Sequence, residues 1–370
     1  MIRVLHVVSS LNINAGMMNV VMNYYRHINR DKIQFDFLYF FDIKGNFAEE
    51  IQSLGGRCFY FPKPSFLPKY QKKLKNFFNR HKGEYSAVHC HPIWASEIVS
   101  RQAKKSGIKH IIQHSHSVKY SEGALSNIRN RFLVRFIGLF ATDYVACSSF
   151  ASEVFGKNVL RKHKVFILKN AIDTQKYKFD LVSRDSVRNE FGILPEDIVI
   201  GNVGRLTAVK NQVFAVKVFS KIKERYEHSV LLLVGEGEAR KEIEEAVAGY
   251  GLEKSVILTG KRSDVKELLS AMDVFLMPSV FEGSPMAAIE ALTSGLFCLM
   301  SSSVPKVMET DKAKYLSLQE SEDVWAEECL KMAKAGSPEE RHCFKNIVDE
   351  GFDIATEVVK LEKYYEDLQI

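Results

Sequence analysis

Two successive series of short, nearly unbroken apolar runs limit this chain to a narrow set of folds. The first series is "IRVLHVVSS", "QFDFLYFF", "RCFYFP", "SAVHCH", "KHIIQHS", "YVACSS" and "VFILKN". After "NAIDTQKYKFD" it restarts with "DIVIGNVG", "SVLLLVGEG", "SVILTGK", "VFLMPS" and "LFCLMSS". Stretches of helical length and period separate the runs, among them "NQVFAVKVFSKIKERY" and "DVKELLSAM". Strands that are apolar along their whole length are buried on both faces, so they predict parallel sheets sandwiched between helices. The restart predicts two tandem doubly wound α/β domains of Rossmann-like type, residues 1–168 and 169–351. A C-terminal helix over 352–370 is expected to pack back on the first domain. Doubly wound sheets bind ligands at the carboxyl ends of their strands, so the expected site is a cleft that the two domains face.

Composition narrows the class. With 46% apolar and 26% charged residues, the 370-residue chain reads as a soluble globular protein. No apolar run approaches the ~18 residues of a membrane span. The opening "MIRVLHVVSS" reads as a buried strand rather than a signal peptide. Six scattered cysteines without a C-x-x-C pair argue against a metal site or a disulfide framework, and fit a reducing cytoplasm. The net charge of +6 conceals an asymmetry: residues 1–168 hold 25 Lys/Arg against 10 Asp/Glu, and the remainder 26 against 35. A basic half joined to an acidic half points to an anionic partner for the first domain.

The stretch "VFEGSPMAAIEAL" carries Glu282 and Glu290 with seven small or apolar residues between them. It follows the run "VFLMPS", which sets it at a strand end. Ser284 is the expected N-cap and Pro285 the expected first-turn residue of a helix, with Gly283 leaving the backbone open. The amides of residues 284–287 then form an anion site. Glu290 lies about a turn and a half into the helix, and its side chain leans back toward the N-terminus to accept a ribose diol. Two carboxylates beside an anion need compensating cations. "GRLTAVKN", in the loop after the second domain's first strand, supplies Arg205 and Lys210, with Gly204 permitting a tight turn.

These segments resemble the retaining glycosyltransferases of family 4, which have the GT-B fold. "EGSPMAAIE" looks like the family's E-x7-E signature and "GRLTAVKN" like its G-R-L-x-x-x-K-G/N segment. "LKNAIDTQKY", "VGEGEAR", "LTGKRSDVKELLSAMDVFLMPSVFEGSP", "AGMMNVVMN", "VHCHPIWAS" and "IIQHSHS" extend the likeness over nearly the whole chain. Ala171 stands where the family usually has a hinge glycine, and Ala15-Gly16 where a glycine pair is common. The resemblance implies transfer of a sugar from a nucleoside-diphosphate donor, UDP- or GDP-linked, to a saccharide or lipid-linked acceptor of a surface polysaccharide or glycolipid. Arg205 and Lys210 are implied to hold the diphosphate, and Glu290 the ribose. Glu282, Gly283, Ser284, Pro285 and Met286 are implied to contact the sugar and phosphates. The "GKRSD" loop with Arg262 would frame the base, Gly16 would admit the phosphates, and His114 would face the donor sugar. His116 and His91 are the acceptor-side candidates, with His89 a weaker one.

The resemblance also implies a metal-free reaction with no cofactor, and the sequence holds no D-x-D to carry an ion. A dinucleotide oxidoreductase is the enzymatic rival, but "LVGEGEAR" has Arg240 at the third glycine position of its fingerprint. A non-catalytic sugar-nucleotide-binding protein is the rival of another class. No motif supports a nucleic-acid partner. Basic-aromatic segments at 69–82 and 129–136 suggest an anionic membrane surface, at the inner face of the cell membrane, with Phe77, Phe78, Phe132 and Phe136 available to insert if exposed.

Overall fold

The computed structural model describes residues 1–13, 15–116, 139–306, 310–336, 341 and 345–368. The chain divides into two compact units, Met1–Ile172 with Asp353–Ile370, and Asp173–Phe352. Among the described residues, no helix is long and apolar enough to cross a membrane.

In the first unit the strands are β1 (Ile2–Ser10), β2 (Ile33–Phe41), β3 (Cys58–Tyr60), β4 (Ala87–Cys90), β5 (His110–Ser115), β6 (Asp143–Ala146) and β7 (Val165–Ile167). They form one parallel sheet in the order β3-β2-β1-β4-β5-β6-β7. Val4, Leu5, Val7, Val8, Phe35, Phe37 and Leu38 are all buried, so both faces of the central strands are covered. The helix Pro68–Arg80 buries Tyr70, Leu74, Phe77 and Phe78, a spacing that puts one stripe on the sheet. Phe77 and Phe78 are therefore core residues, 8% and 1% exposed, and not available for membrane insertion. Phe132 and Phe136 lie outside the described residues. Asp36, fully buried in β2, is compensated by Arg3, Arg57 and the Tyr85 hydroxyl.

In the second unit β8 (Ile198–Val203), β9 (Ser229–Val234), β10 (Val256–Gly260), β11 (Val274–Met277), β12 (Phe297–Ser301) and β13 (Ala313–Leu316) form a parallel sheet in the order β10-β9-β8-β11-β12-β13. This is the doubly wound order, with the direction of winding reversing between β8 and β11. Strand β13 was absent from the apolar runs. It pairs on one side only and is half-buried, so it has no continuous apolar stretch to betray it. Just before β11, Asp273 takes Arg184 and Arg188 at 2.7 Å each and the Val199 amide at 2.7 Å, which ties β8 to β11 at their starts. The two central strands are thereby registered before they diverge into the loops described next.

Candidate active site

The loops that follow β8 and β11 flank the point at which the second sheet reverses. They are knitted to each other. The Asn202 amide donates to the Leu276 carbonyl at 2.8 Å, the Val280 N–H to the Val209 carbonyl at 2.8 Å, and the Asn211 side chain to the Pro278 carbonyl at 3.2 Å. Asn211 has φ of +57°, the one non-glycine in the left-handed region among the described residues. Asparagine tolerates that region, which explains why glycine or asparagine suits the end of "GRLTAVKN".

Across this seam Lys210 Nζ donates to Glu282 Oε1 at 2.6 Å, and Ser279 Oγ donates to the same oxygen at 2.7 Å. Glu282 is 6% exposed, so the loop carboxylate expected to face a ligand openly is instead a buried partner of the lysine. The pair leaves the buried carboxylate compensated within the protein itself. Arg205, by contrast, projects outward, its side chain 72% exposed, and among the described residues its one ion contact is with Glu238 at 3.5 Å. Its guanidinium is free to reorient. The loop that carries it sits on the "GEG" turn after β9. A Cβ at Gly235 would lie 1.9 Å from the Gly204 carbonyl oxygen, and one at Gly237 2.1 Å from that of Leu206. Those glycines therefore serve close backbone packing rather than a dinucleotide. Gly204 itself would place a Cβ in ordinary contact with Lys210, 3.7 Å from its Cε.

The helix after β11 runs Met286–Thr293, beginning one residue later than expected. Pro285 is its N-cap, with φ −81° and ψ 66°, and no side chain caps it. Ser284 is thus not the cap; its hydroxyl points to Met286 Sδ at 3.5 Å, and its carbonyl accepts from the Met286 N–H at 2.9 Å. Among the described residues the amides of Gly283, Ser284 and Ala287 have no acceptor within the chain, while that of Met286 is taken by the Ser284 carbonyl. Glu290, half-buried, accepts from the Tyr177 hydroxyl at 3.0 Å. Burial pushes its carboxyl up to about 7, against the opposing pull of Tyr177 and Lys176. Tyr177 had escaped notice in the sequence, being one aromatic in a loop.

Arg262 is spent elsewhere. Its guanidinium forks onto both oxygens of Glu190, at 2.7 and 3.0 Å, and both of Asp264, at 2.8 and 2.6 Å. The structure thus assigns it to surface ion pairing, and no described contact links it to Arg205, Lys210 or Glu290.

In the first unit the candidate histidines are brought together, but in the interior. Parallel register sets His6 of β1 beside His89 of β4 and Ile112 of β5. Side chains two apart share a face, so His91, His114 and His116 lie on that same face. The rings stack at centroid distances of 3.9 Å for His114–His116 and 4.7 Å for His89–His91. Burial and neighbouring rings push His6, His89, His91 and His114 well below the ordinary histidine value, and burial pushes His116 to about 4. A cavity of about 10 Å³, the room of one water, adjoins the cluster and is lined also by Val20, Tyr24 and Leu361. One nitrogen from each of His89, His91 and His114 lies within 4.8 Å of the other two, close enough for an ion to gather. Those rings are already engaged, however: His6 Nδ1 with His91 Nε2 at 3.0 Å, His91 Nδ1 with His116 Nε2 at 2.8 Å, and His89 Nε2 with His114 Nδ1 at 3.0 Å. Gly16, after β1, opens the helix Gly16–His27, and a Cβ there would meet nothing within 4 Å. The fold itself does not demand glycine at that position.

Comparison with known proteins agrees with this arrangement. The family "Glycosyl transferases group 1" matches residues 183–347, which span the Arg205, Lys210, Glu282 and Glu290 loops. The putative glycosyltransferase EpsF of Bacillus subtilis (strain 168) is 33% identical over 370 residues, covering 98% of this chain and 96% of that protein. The Escherichia coli UDP-Gal:alpha-D-GlcNAc-diphosphoundecaprenol alpha-1,3-galactosyltransferase is 26% identical over 66% of each chain. Among solved structures, Anabaena Alr3699/HepE in complex with UDP-glucose superposes with a TM-score of 0.80 over 99% of this chain and all of its own, at 18% identity. The two parallel-sheet units thus have the fold of GT-B glycosyltransferases, and the chain belongs to the group 1 glycosyltransferase family.

Proposed function

We propose that this protein moves a hexosyl group from a UDP- or GDP-sugar to a saccharide or lipid-linked acceptor of a surface polysaccharide or glycolipid, with retention, as a family 4 member. The observation that carries the reading is the pairing of Lys210 with Glu282 across the seam of the β8 and β11 loops. Beside it stand an exposed Arg205 and the open amides of Gly283, Ser284 and Ala287. In this reading the amides and Lys210 receive the diphosphate, and Arg205 swings onto it from solvent. Glu290, held by Tyr177, accepts the ribose diol. Glu282 fixes Lys210 and turns its second oxygen to the sugar. Charge developing on the leaving diphosphate is met by Arg205, Lys210 and the helix amides, so the reaction proceeds without a metal or other cofactor. The open space at Gly16 admits a phosphate. The Escherichia coli relative is named for UDP-galactose and a diphosphoundecaprenol-linked acceptor, and HepE holds UDP-glucose; both support the class of donor.

A release assay with UDP-, GDP- and ADP-sugars in the presence of chelator tests this, with NMR of the product anomer reading the stereochemistry. Turnover that requires added Mg²⁺, or an inverted product, rejects the mechanism. Binding without turnover across a panel of acceptors leaves a sugar-nucleotide-binding protein.

A membrane-borne acceptor is favoured by one feature of the first unit. Lys69, Lys72, Lys73 and Lys75 are exposed along the helix Pro68–Arg80, directly after Phe66 and Leu67, which are 60% and 67% exposed. Each lysine near an anionic leaflet contributes ~1 kcal/mol, and the two apolar side chains replace the buried phenylalanines as the inserting group. Co-sedimentation with anionic vesicles at low salt checks it, and absence from the pellet removes the membrane from the reading.

A further inference from the structure

A cavity of about 270 Å³ opens in the second unit, and none of the residues that line it belongs to the loops after β8 and β11. Three cations face it: Lys176, Lys178 and Lys266. Among the described residues Lys176 and Lys178 make no ion pair, and Lys266 pairs with Glu267 at 3.4 Å. The two carboxylates on the wall are engaged already. Glu267 holds Lys266, and Asp180 caps the helix Leu181–Glu190, its Oδ2 accepting from the Ser183 N–H at 2.8 Å and the Ser183 hydroxyl at 2.6 Å. More positive charge stands behind the wall. Ser270, a lining residue, turns its carbonyl to Arg184 at 3.2 Å and to Arg341 at 3.3 Å. The side chains of Arg184, Arg188 and Arg341 are at most 9% exposed, and among the described residues they share the one carboxylate of Asp273. Buried charge is screened less than surface charge, so this surplus adds to the field of the lysines. Charge therefore favours an anionic occupant. Phe179, with the Arg341 guanidinium 5.1 Å from its ring centroid, offers a carbon skeleton an aromatic wall. The volume is the room of about nine waters, below the ~300–1,000 Å³ of pockets that enclose larger organic ligands, and suits a monosaccharide rather than a nucleotide sugar.

The same short segment reaches the candidate active site. Lys176 and Lys178 line the cavity, while Tyr177 between them donates its hydroxyl to Glu290. Lys176 also helps to keep that carboxyl ionised against the effect of burial. We propose that the cavity takes a phosphorylated monosaccharide as an effector, and that its occupant weakens donor binding through the segment Lys176, Tyr177 and Lys178. The phosphate meets the three lysines, the sugar ring lies against Phe179, and the side-chain amide of Gln175, another lining residue, meets a hydroxyl. An anion there cancels the pull of Lys176 on Glu290 and leaves a poorer acceptor for the ribose. Donor and effector then weaken each other by the same factor. The coupling rests on the assignment of Glu290 to the ribose; the anion site does not.

The experiment is calorimetry on the full chain with glucose 1-phosphate as probe, alone and with saturating UDP or GDP. One site per chain is expected, retained under saturating nucleotide and lost when Lys178→Gln and Lys266→Gln are combined. Both lysines are exposed, so the double variant should melt like the wild type and bind nucleotide alone with unchanged affinity. In the wild type only, glucose 1-phosphate should raise the nucleotide Kd about fivefold, after which the effect levels off. That plateau is the mark of two sites. A Kd that climbs in proportion to the probe means competition at the donor site and overturns the proposal. Binding that survives in the double variant, or that uncharged glucose matches, overturns it too, because the lysines then take no part. Inorganic phosphate should bind more weakly than glucose 1-phosphate, and equal affinity overturns the saccharide as ligand class. A bound probe that leaves nucleotide affinity unmoved overturns the coupling. A chain that binds neither UDP nor GDP refutes the donor reading instead, while the glucose 1-phosphate titration still reads the lysine cavity.

Discussion

Mild acid should unfold the first unit well before the second. His6, His89, His91, His114 and His116 are neutral in the native state because burial penalises the imidazolium. In the unfolded chain each has the ordinary value near 6.5 and takes up a proton below it. The unfolded state therefore binds more protons, and stability falls as pH falls from 6.5 toward the folded values, about 4 for His116. Each ring costs about 1.4 kcal/mol at one pH unit below 6.5. Five rings acting together cost about 7 kcal/mol at pH 5.5, comparable with the whole stability of a domain, ~5–15 kcal/mol. The second unit has the opposite term. Glu290, pushed up to about 7, holds a proton over the range in which its unfolded form, with an ordinary value near 4.5, has released it, so that unit gains stability as pH falls through the same interval. Two tryptophans separate the units: Trp94 packs on Phe40 in the first and Trp325 is buried in the core of the second. Urea unfolding of Trp325→Phe, followed by Trp94 fluorescence at pH 7.5 and 5.5, reads the first unit. Trp94→Phe reads the second. A Trp94 transition displaced by no more than the ~1.4 kcal/mol of a single ring would refute the reasoning, because it would mean that the histidine cluster relaxes and hydrates as it charges.

Other perturbations separate packing from ligand binding. Gly235→Ala and Gly237→Ala set a Cβ within 1.9 and 2.1 Å of backbone oxygens and should each destabilise the second unit by ~2 kcal/mol or more, whereas Gly16→Ala should leave the melting temperature unchanged and weaken donor binding in calorimetry. Lys210→Met strands the buried Glu282 carboxylate, so denaturant unfolding should show a loss of ~3–5 kcal/mol, and kcat should fall by ~10²-fold or more. Glu290→Ala should weaken UDP or GDP binding by ~1.5–3 kcal/mol. With its carboxyl near 7, wild-type affinity should rise between pH 6 and 8 as the better acceptor forms, and Glu290→Gln should flatten that dependence in a calorimetric pH series.

The alternation of apolar runs and helical periods was enough to read two parallel α/β units, because strands buried on both faces leave no polar alternation to misread. The loops at the reversal of the second sheet were equally legible, since Arg205, Lys210, Glu282 and Glu290 stand at fixed distances from strand ends. What those charges touch was not. Glu282 belongs to Lys210, Arg262 to Glu190 and Asp264, and Glu290 to Tyr177, each partner lying far away along the chain except Asp264. The local signal for Ser284 as a cap failed, and the exposure that Phe77 and Phe78 would have needed to insert is absent, for a related reason. A helix start and a helix face are decided by the sheet they meet, and a cation-rich helix hides its apolar stripe among lysines. The histidine cluster shows the division most sharply. The pairs 89/91 and 114/116 are visible as period-two residues in two strands. Only parallel register beside His6, and a C-terminal helix that delivers Tyr365, make them a single buried chain. Sequence determined which residues occupy each strand end and face; long-range packing decided which of their polar atoms are paired and which are left open.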